Sequence, residues 1–315
     1  MSAVRVRPFR RSDRDQLTQL VNAHAEAVVP GMSVSVNTVL SSLERRPGEF
    51  IEDPWVSERI TLVAEQAGRI AAAAHLLRYF PDERAGVTAR DAGEILWLLF
   101  WPHAPARNPF WHDATEAAET LMTACTAQFA TWGVSRQYAA GELPVPGVYG
   151  VPDQWPHVAG LYRRAGFSHT GQTEVVYLAR VEDLPDPADA PLDGVTVRRS
   201  VGINGVRLSA VLGPEVIGYI EIEIFDEGQR LSRHGGWADV GNLHVVPRYQ
   251  RRGVGTWLLG QAADWLRLAG VRRLLDYAWL EGTDPGGLNY DAYRAFLPTA
   301  GFRELTRTAR VWTKE

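Results

Sequence analysis

The chain has 315 residues, 45% of them hydrophobic and 22% charged, and a formal net charge of −4. That is room for two domains of roughly 150 residues each, an ordinary globular composition, and no positive excess of the kind nonspecific nucleic-acid binding needs. A single cysteine, Cys125, excludes an internal disulfide framework and any cysteine-based zinc site, and no apolar run reaches the roughly 20 residues that span a bilayer.

The opening residues, MSAVRVRPFRRSDRDQL, lack the apolar core of a signal peptide, so the expected location is cytoplasmic. VRVR before Pro8 predicts a first strand. Ser12 and Asp13 can cap a helix through Leu17, Leu20 and Val21, and a second helical pattern covers residues 36–45. Two apolar runs, 60–65 and 69–79, split by Gln66-Ala67-Gly68, predict a hairpin-like pair. Residues 94–101, with ILWLLFW among them, predict a buried strand stopped by Pro102. A loop with His103, Arg107 and Trp111 follows, then a helix over 114–132 ended by Gly133, with Cys125 as a small core residue. A strand over 136–140, a Pro/Gly-rich loop, a helix over 157–164, the turn Ala165-Gly166-Phe167 and a strand over 174–181 complete this half.

Residues 182–194, EDLPDPADAPLDG, hold three prolines and five acidic residues and are expected to form an exposed linker. That gives domains 1–181 and 195–315. The second half predicts strands over 195–199, 206–212, 217–225 and 238–246, a glycine-bearing loop, a helix to Ala269, a strand over 274–279, a helix around 291–296, the turn Ala300-Gly301-Phe302 and a last strand near 308–313. Pro102 matches Pro247 at an offset of 145, Gly133 matches Gly270 at 137 and Gly166 matches Gly301 at 135, with the differences falling inside loops. Glu94 then falls opposite Asp239. The pattern reads as an internal duplication.

The loop RYQRRGVG, from Arg248 to Gly255, opens a helix in which Trp257, Leu258, Ala262, Trp265, Leu266 and Ala269 recur at helical spacing. Its glycines permit positive φ and close backbone approach, while free N–H groups and the helix dipole favour an anion. Arg248, Arg251 and Arg252 add positive charge. Together these describe a pyrophosphate cradle, and neither a Walker loop nor a dinucleotide fingerprint fits the spacing.

Gln250-x-x-Gly253-x-Gly255 after Val-Val-Pro resembles the acetyl-CoA loop of the GNAT family of acyltransferases, written (Q/R)-x-x-G-x-(G/A). With Gly-Phe before the last strand of both halves, and the segment LYRRAGF from Leu161 to Phe167, the whole chain resembles a tandem pair of GNAT folds. The resemblance implies an α/β, mixed α+β chain of two domains, each a mixed, mostly antiparallel sheet flanked by helices with a splayed pair of central strands. The N-terminal copy keeps two leading helices, but its loop HAPARNPFWHDA has no glycine, which implies a lost CoA site. The C-terminal copy keeps the cradle but lacks the two helices that usually wall the acceptor site.

By the same resemblance, acetyl-CoA is the cosubstrate, held by Leu243, His244, Val245, Val246, Gln250, Arg251, Arg252, Gly253, Val254, Gly255 and Thr256. The N–H groups of Val245 and Val246 would face the acyl carbonyl, and residues 250–255 would hold the pyrophosphate. No metal is expected, since the eight histidines show no H-E-x-x-H spacing. Asp239, eight residues before Pro247, matches the family's general-base glutamate; a strand-end aspartate making hydrogen bonds is the plain alternative. His244 is the other candidate base, as histidine is the residue type that exchanges protons near neutral pH, against the alternative of a satisfied core histidine. Glu221 and Glu223 would either attract a cationic amine or form the wet face of a strand. The family's acid, a tyrosine four residues before Gly-Phe, is replaced by Leu297, which leaves Tyr293 or Tyr290 as candidates; Tyr162 keeps that position in the N-terminal half.

The expected function is acetyl-CoA-dependent N-acetylation of a primary amine by direct attack, with a small-molecule acceptor preferred over a protein, no nucleic-acid or membrane partner, and a monomer or weak homodimer. The alternative is a non-catalytic CoA-binding or protein-interaction module, which Leu297 favours. A transferase lacking CoA is disfavoured by the cradle.

Overall fold

The computed structural model describes residues 3–45, 53–101, 113–186, 189–203, 205–224, 236–281 and 289–314. The loop with His103, Arg107 and Trp111 lies outside these, as does Phe225. In chain order the strands and helices are β1 (Arg5–Pro8), α1 (Arg14–Val28), α2 (Val36–Leu43), β2 (Val56–Gln66), β3 (Arg69–Tyr79), α3 (Gly86–Ala89), β4 (Ala92–Phe100), α4 (Thr115–Trp132), β5 (Arg136–Ala139), β6 (Val151–Pro152), α5 (Pro156–Arg164), β7 (Ser168–His169), β8 (Thr173–Arg180), β9 (Val195–Gly202), β10 (Gly205–Leu212), β11 (Glu215–Ile224), β12 (Trp237–Val245), α6 (Val254–Leu268), β13 (Arg273–Trp279), α7 (Tyr290–Thr299), β14 (Arg303–Ala309) and β15 (Trp312–Lys314). The chain divides into two compact units, one of residues 1–172 with 308–315, the other of residues 173–307.

The first unit carries a sheet in the order β1-β2-β3-β4-β5-β15-β7. All neighbours whose register is defined pair antiparallel except β4 and β5. Helix α1 buries Leu17, Leu20, Val21, Ala25 and Val28, a 3.6-residue stripe. The expected side-chain cap on this helix is absent: Asp13 instead accepts from Arg7 Nη1 at 2.6 Å and from the Arg10 N–H at 2.8 Å, and the Arg7 guanidinium holds its carboxyl below the usual range. Ala72, Ala73 and Ala74 on β3 are fully buried, a case of packing overriding weak strand propensity.

The second unit carries the order β14-β8-β13-β12-β11-β10-β9, with β12 and β13 parallel. Its core joins Ile217, Ile220 and Ile222 of β11 to Leu258, Leu259, Ala262 and Leu266 of α6 and to Leu297 of α7. Helices α4 and α6 end alike. Gly133 and Gly270 adopt φ of 67° and 73°, and the next N–H reaches back five residues, Val134 to Phe129 and Val271 to Leu266.

Two features depart from the boundaries expected at 181 and 195. Strand β8 pairs with β13 in the second unit, and the final strand, expected as one piece over 308–313, breaks into β14 and β15, of which β15 pairs with β5 and β7 of the first unit. Sheet membership is a long-range pairing that local periodicity does not carry. Residues 182–194 are also no free tether. Leu184 is buried in the core of the second unit, Leu192 packs against it, and the Asp186 carbonyl passes so close to α6 that a Cβ on Gly260 would lie 2.8 Å away. The described acidic residues face solvent while Leu184 and Leu192 turn inward, which makes the stretch a packed strap.

In an open helix Gly260→Ala would stabilise by about 0.5–1 kcal/mol. Here the added carbon meets the Asp186 carbonyl, so the substitution is expected to cost about 1–3 kcal/mol, measured by urea unfolding; a gain in stability would show that the strap does not seat on α6.

Candidate active site

The second unit opens between β12 and β13. Their parallel pairing covers Trp237↔Arg273, Ala238↔Leu274 and Asp239↔Leu275 and goes no further, although β12 runs on to Val245 and β13 to Trp279. Against β11, the register of β12 shifts so that Ile222 pairs with Val240 and Glu221 with Asn242, leaving Gly241 as the bulged residue. The same bulge occurs at Leu96 between β3 and β4, which places the duplication in the backbone itself.

The bulge keeps the two faces of β12 distinct. Ala238, Val240 and Leu243 belong to the core beneath α6, so Asp239, Asn242 and His244 point to the opposite face. There Asp239 is 6% exposed and accepts the Tyr277 hydroxyl at 2.9 Å. Asn242 Nδ2 donates to the Tyr219 hydroxyl at 3.1 Å, and the His244 ring lies 5.7 Å from that of Tyr219. His244 and Asp239 stand five residues apart on one strand, about 16 Å, and do not form a cluster. Of the two glutamates, Glu221 is 1% exposed and tied to Arg207 by its Nε at 2.6 Å, which removes it from any acceptor role. Exposed Glu223 sits beside Asp239 in the register.

Strand alternation also corrects the backbone assignment. The Val246 N–H donates to the Ile217 carbonyl at 2.9 Å and is consumed by the sheet. In an antiparallel ladder the next residue then turns its N–H and C=O away from the partner, so Val245 faces the gap toward β13. Gln250 braces that edge: its Nε2 donates to the Val245 carbonyl at 2.9 Å.

The chain then makes a tight turn over Pro247–Tyr249 and enters α6. Arg251 and Gly253 both adopt left-handed backbone, φ 62° and 83°, an arrangement that turns successive N–H groups to one concave side. The N–H groups of Val254, Gly255 and Thr256 precede the bond from Trp257 N–H to the Gly253 carbonyl, 2.9 Å, and lie at the positive end of the helix. Arg251, Arg252 and Thr256 are exposed, and no carboxylate among the described residues pairs with either arginine. Arg248 is different, being held by Glu215, which also accepts from the Tyr249 hydroxyl. Of the three expected arginines, Arg251 and Arg252 are thus the two left facing solvent at the loop.

On the α6 face of β13, Leu274 and Ala278 enter the core and Asp276 points with them. Asp276 is 2% exposed; its Oδ2 accepts the Tyr293 hydroxyl at 2.6 Å and its Oδ1 the Tyr277 N–H at 2.7 Å. Burial pushes its carboxyl up to about 7 and the Tyr293 phenol well above its ordinary value. The folded state thus holds the Asp276 proton more tightly than the unfolded chain, a stabilisation complete in acid and lost as the pH rises through 7. The candidate acid Tyr293 spends its proton on Asp276 and not on the gap. Asp276 and Tyr277 escaped the sequence reading; the one signal was an aspartate in the apolar strand LLDYAW.

Among the described residues the first unit has no matching gap. Beyond the last β4–β5 pair, the Ala140 N–H donates to the Ile95 carbonyl at 2.8 Å and the Glu142 N–H to that of Leu96 at 2.9 Å. Trp101, at the position of Val246, stacks on His24 at 4.3 Å and lies 5.1 Å from His157. Glu94, the counterpart of Asp239, accepts the Tyr79 hydroxyl, and its carboxyl is pushed up to about 7 by burial. Tyr162, at the family acid position, donates to the Ala140 carbonyl at 2.8 Å and is fully buried. Among the described residues no group of three or more His, Cys, Asp or Glu side chains could hold a metal ion, and no helix is long and apolar enough to cross a membrane.

Comparison with known proteins agrees with this geometry. Residues 182–285, which contain the gap-forming strand and the cradle, match the acetyltransferase (GNAT) family. No curated protein matches. Among solved structures, a tandem GNAT protein from the clavulanic acid biosynthesis pathway, solved without acetyl-CoA, is 16% identical with a TM-score of 0.66, over 99% of this chain and 98% of that one. A GCN5-related N-acetyltransferase from Sphaerobacter thermophilus is 14% identical with a TM-score of 0.60, over 99% and 95% of the two chains. The glucosamine N-acetyltransferase region of a fungal multi-domain β-N-acetylglucosaminidase is 13% identical with a TM-score of 0.59, over 99% of this chain and 38% of that one. At these identities the solved structures speak to fold alone. The segment with the gap and cradle belongs to the acetyltransferase (GNAT) family, and the chain as a whole has the fold of a tandem GNAT protein.

Proposed function

We propose that this protein is an acetyl-CoA-dependent N-acetyltransferase that binds acetyl-CoA in its C-terminal unit and acetylates a primary amine by direct attack. The observation that carries this reading is the gap between β12 and β13 running into a left-handed loop at the start of α6. A slot between strands suits the slender pantetheine arm, and donors at its mouth suit a pyrophosphate.

On this reading the N–H groups of residues 253–256, with Arg251 and Arg252, hold the pyrophosphate, and the Val245 N–H polarises the thioester carbonyl oxygen. Asp239 takes the proton from the attacking amine on the face away from α6, where Glu223 raises the local concentration of a cationic acceptor. The amine nitrogen bonds to the acyl carbon, and the carbon–sulfur bond breaks. A thiol of ordinary pKa near 8.5 leaves readily as thiolate, so leucine at 297 is compatible with turnover. A small-molecule amine is the preferred acceptor.

The second reading is a module that binds acetyl-CoA without turnover. Leu297, with Tyr293 engaged by Asp276, favours it. Product formation in an amine screen separates the two.

Gly255 offers a clean test of the cradle, because a Cβ there meets only the Phe296 ring at 3.7 Å and Val245 at 3.8 Å. Gly255→Leu should fold with an unchanged melting midpoint and bind acetyl-CoA more weakly by a factor of about ten or more; calorimetry showing wild-type affinity would remove the loop from the site. Asp239→Asn should leave acetyl-CoA affinity intact and lower kcat by about 10²-fold or more. Equal rates for the two proteins from about pH 6 to 9 would take the base role from Asp239.

A further inference from the structure

The two halves of the chain act as an internal control on the parting of the central strands. Glu94 and Ile95 of β4 match Asp239 and Val240 of β12, while Tyr138, Ala139 and Ala140 match Leu275, Asp276 and Tyr277. In the first unit pairing continues through Glu94↔Tyr138 to Ile95↔Ala139, and the chain after β5 stays bonded to β4 through the N–H groups of Ala140 and Glu142. In the second unit the last pair is Asp239↔Leu275. The difference begins where alanine is replaced by aspartate.

The hydrogen bonds show how the replacement acts. The Arg273 N–H donates to the Gly236 carbonyl at 2.9 Å, toward β12, so by alternation the N–H of Tyr277 also points that way. Its counterpart, the Ala140 N–H, reaches the Ile95 carbonyl. The Tyr277 N–H is instead taken at 2.7 Å by Oδ1 of Asp276. The carboxylate is held in place by Tyr293, whose hydroxyl donates to Oδ2 at 2.6 Å. Alanine offers no such acceptor, and a buried N–H seeks a carbonyl, the nearest in register being that of Val240.

We infer that Asp276 is the positioning residue that keeps the acetyl-CoA slot open, by capping the Tyr277 amide and so preventing β13 from continuing its ladder onto β12. The identity of the ligand rests on the proposed function; the opening itself does not. Asp276 acts through the backbone, so an amide oxygen serves as well as a carboxylate oxygen. Its burial and raised pKa agree with a role that needs an acceptor atom and no charge.

The test uses Asp276→Ala, the double variant Asp276→Ala with Tyr293→Phe, which removes the phenol left without its acceptor, and Asp276→Asn. Acetyl-CoA affinity is read by titration calorimetry and the mobility of residues 273–281 by amide hydrogen exchange. The alanine variants are expected to lose about tenfold or more in affinity and to exchange more slowly than wild type as the strands zip together, while the asparagine variant stays within about threefold of wild type. Folded alanine variants with wild-type affinity and exchange overturn the inference, as does an asparagine variant as impaired as alanine. If wild type itself binds no acetyl-CoA, the functional proposal fails alone, and exchange still decides this one: slower exchange in the alanine variants sustains it and unchanged exchange overturns it.

Discussion

Two parallel strands that could pair along their whole length stop pairing after Asp239, and the remainder of the candidate site depends on that interruption. A closed ladder buries its amides in one another and leaves no donor facing a ligand. An interrupted one leaves edge amides, here that of Val245, which need other partners. The bulge at Gly241 bends β12 at the same place while keeping Leu243 and Val245 toward the core, so the strand changes direction without losing its packing. Asp239 ends up at the vertex, buried on the face away from α6.

The two halves have solved one backbone problem in opposite ways. Both carry the bulge, the acid at the vertex and the glycine that ends the long helix. In the first, the ladder continues past the vertex, and Trp101, the counterpart of Val246, packs against the rings of His24 and His157. The buried Glu94 and Tyr162 hydroxyl there find partners in Tyr79 and the Ala140 backbone. Residues that would serve chemistry in an open cleft serve packing in a closed one. The second half keeps the cleft, and on its strap Pro185 and Asp186 pack on α6 while Pro191 lies within 3.3 Å of where a Gly253 side chain would begin.

Much of this was legible in the chain. The duplication, the strand before Pro247, the glycine loop and the helix that follows it come from turn residues, periodicity and spacing, which are local. What escaped was non-local. Nothing in TEVVYLAR tells which sheet β8 joins, and nothing in the last ten residues tells that Arg310 and Val311 break one expected strand into two. Apolar residues spaced along an acidic, proline-rich stretch hid a packed strap. The catalytic candidates split for the same reason: Asp239, His244 and Tyr293 are close in a list of types and spacings, yet the bulge and the strand alternation send them to different partners. Asp276 and Tyr277 gave only the faint sign of an aspartate in an apolar strand, because their side-chain partners, Tyr293 on α7 and Asp239 on β12, are distant in sequence.

The proposed enzyme is an asymmetric tandem, with an acetyl-CoA slot in its C-terminal half and a closed ladder among the described residues of the other. Titration calorimetry of acetyl-CoA into the intact chain tests it most directly, through the stoichiometry. One site per chain is expected. Two sites would contradict the closed N-terminal ladder, and none would contradict the cradle and with it the proposed enzyme.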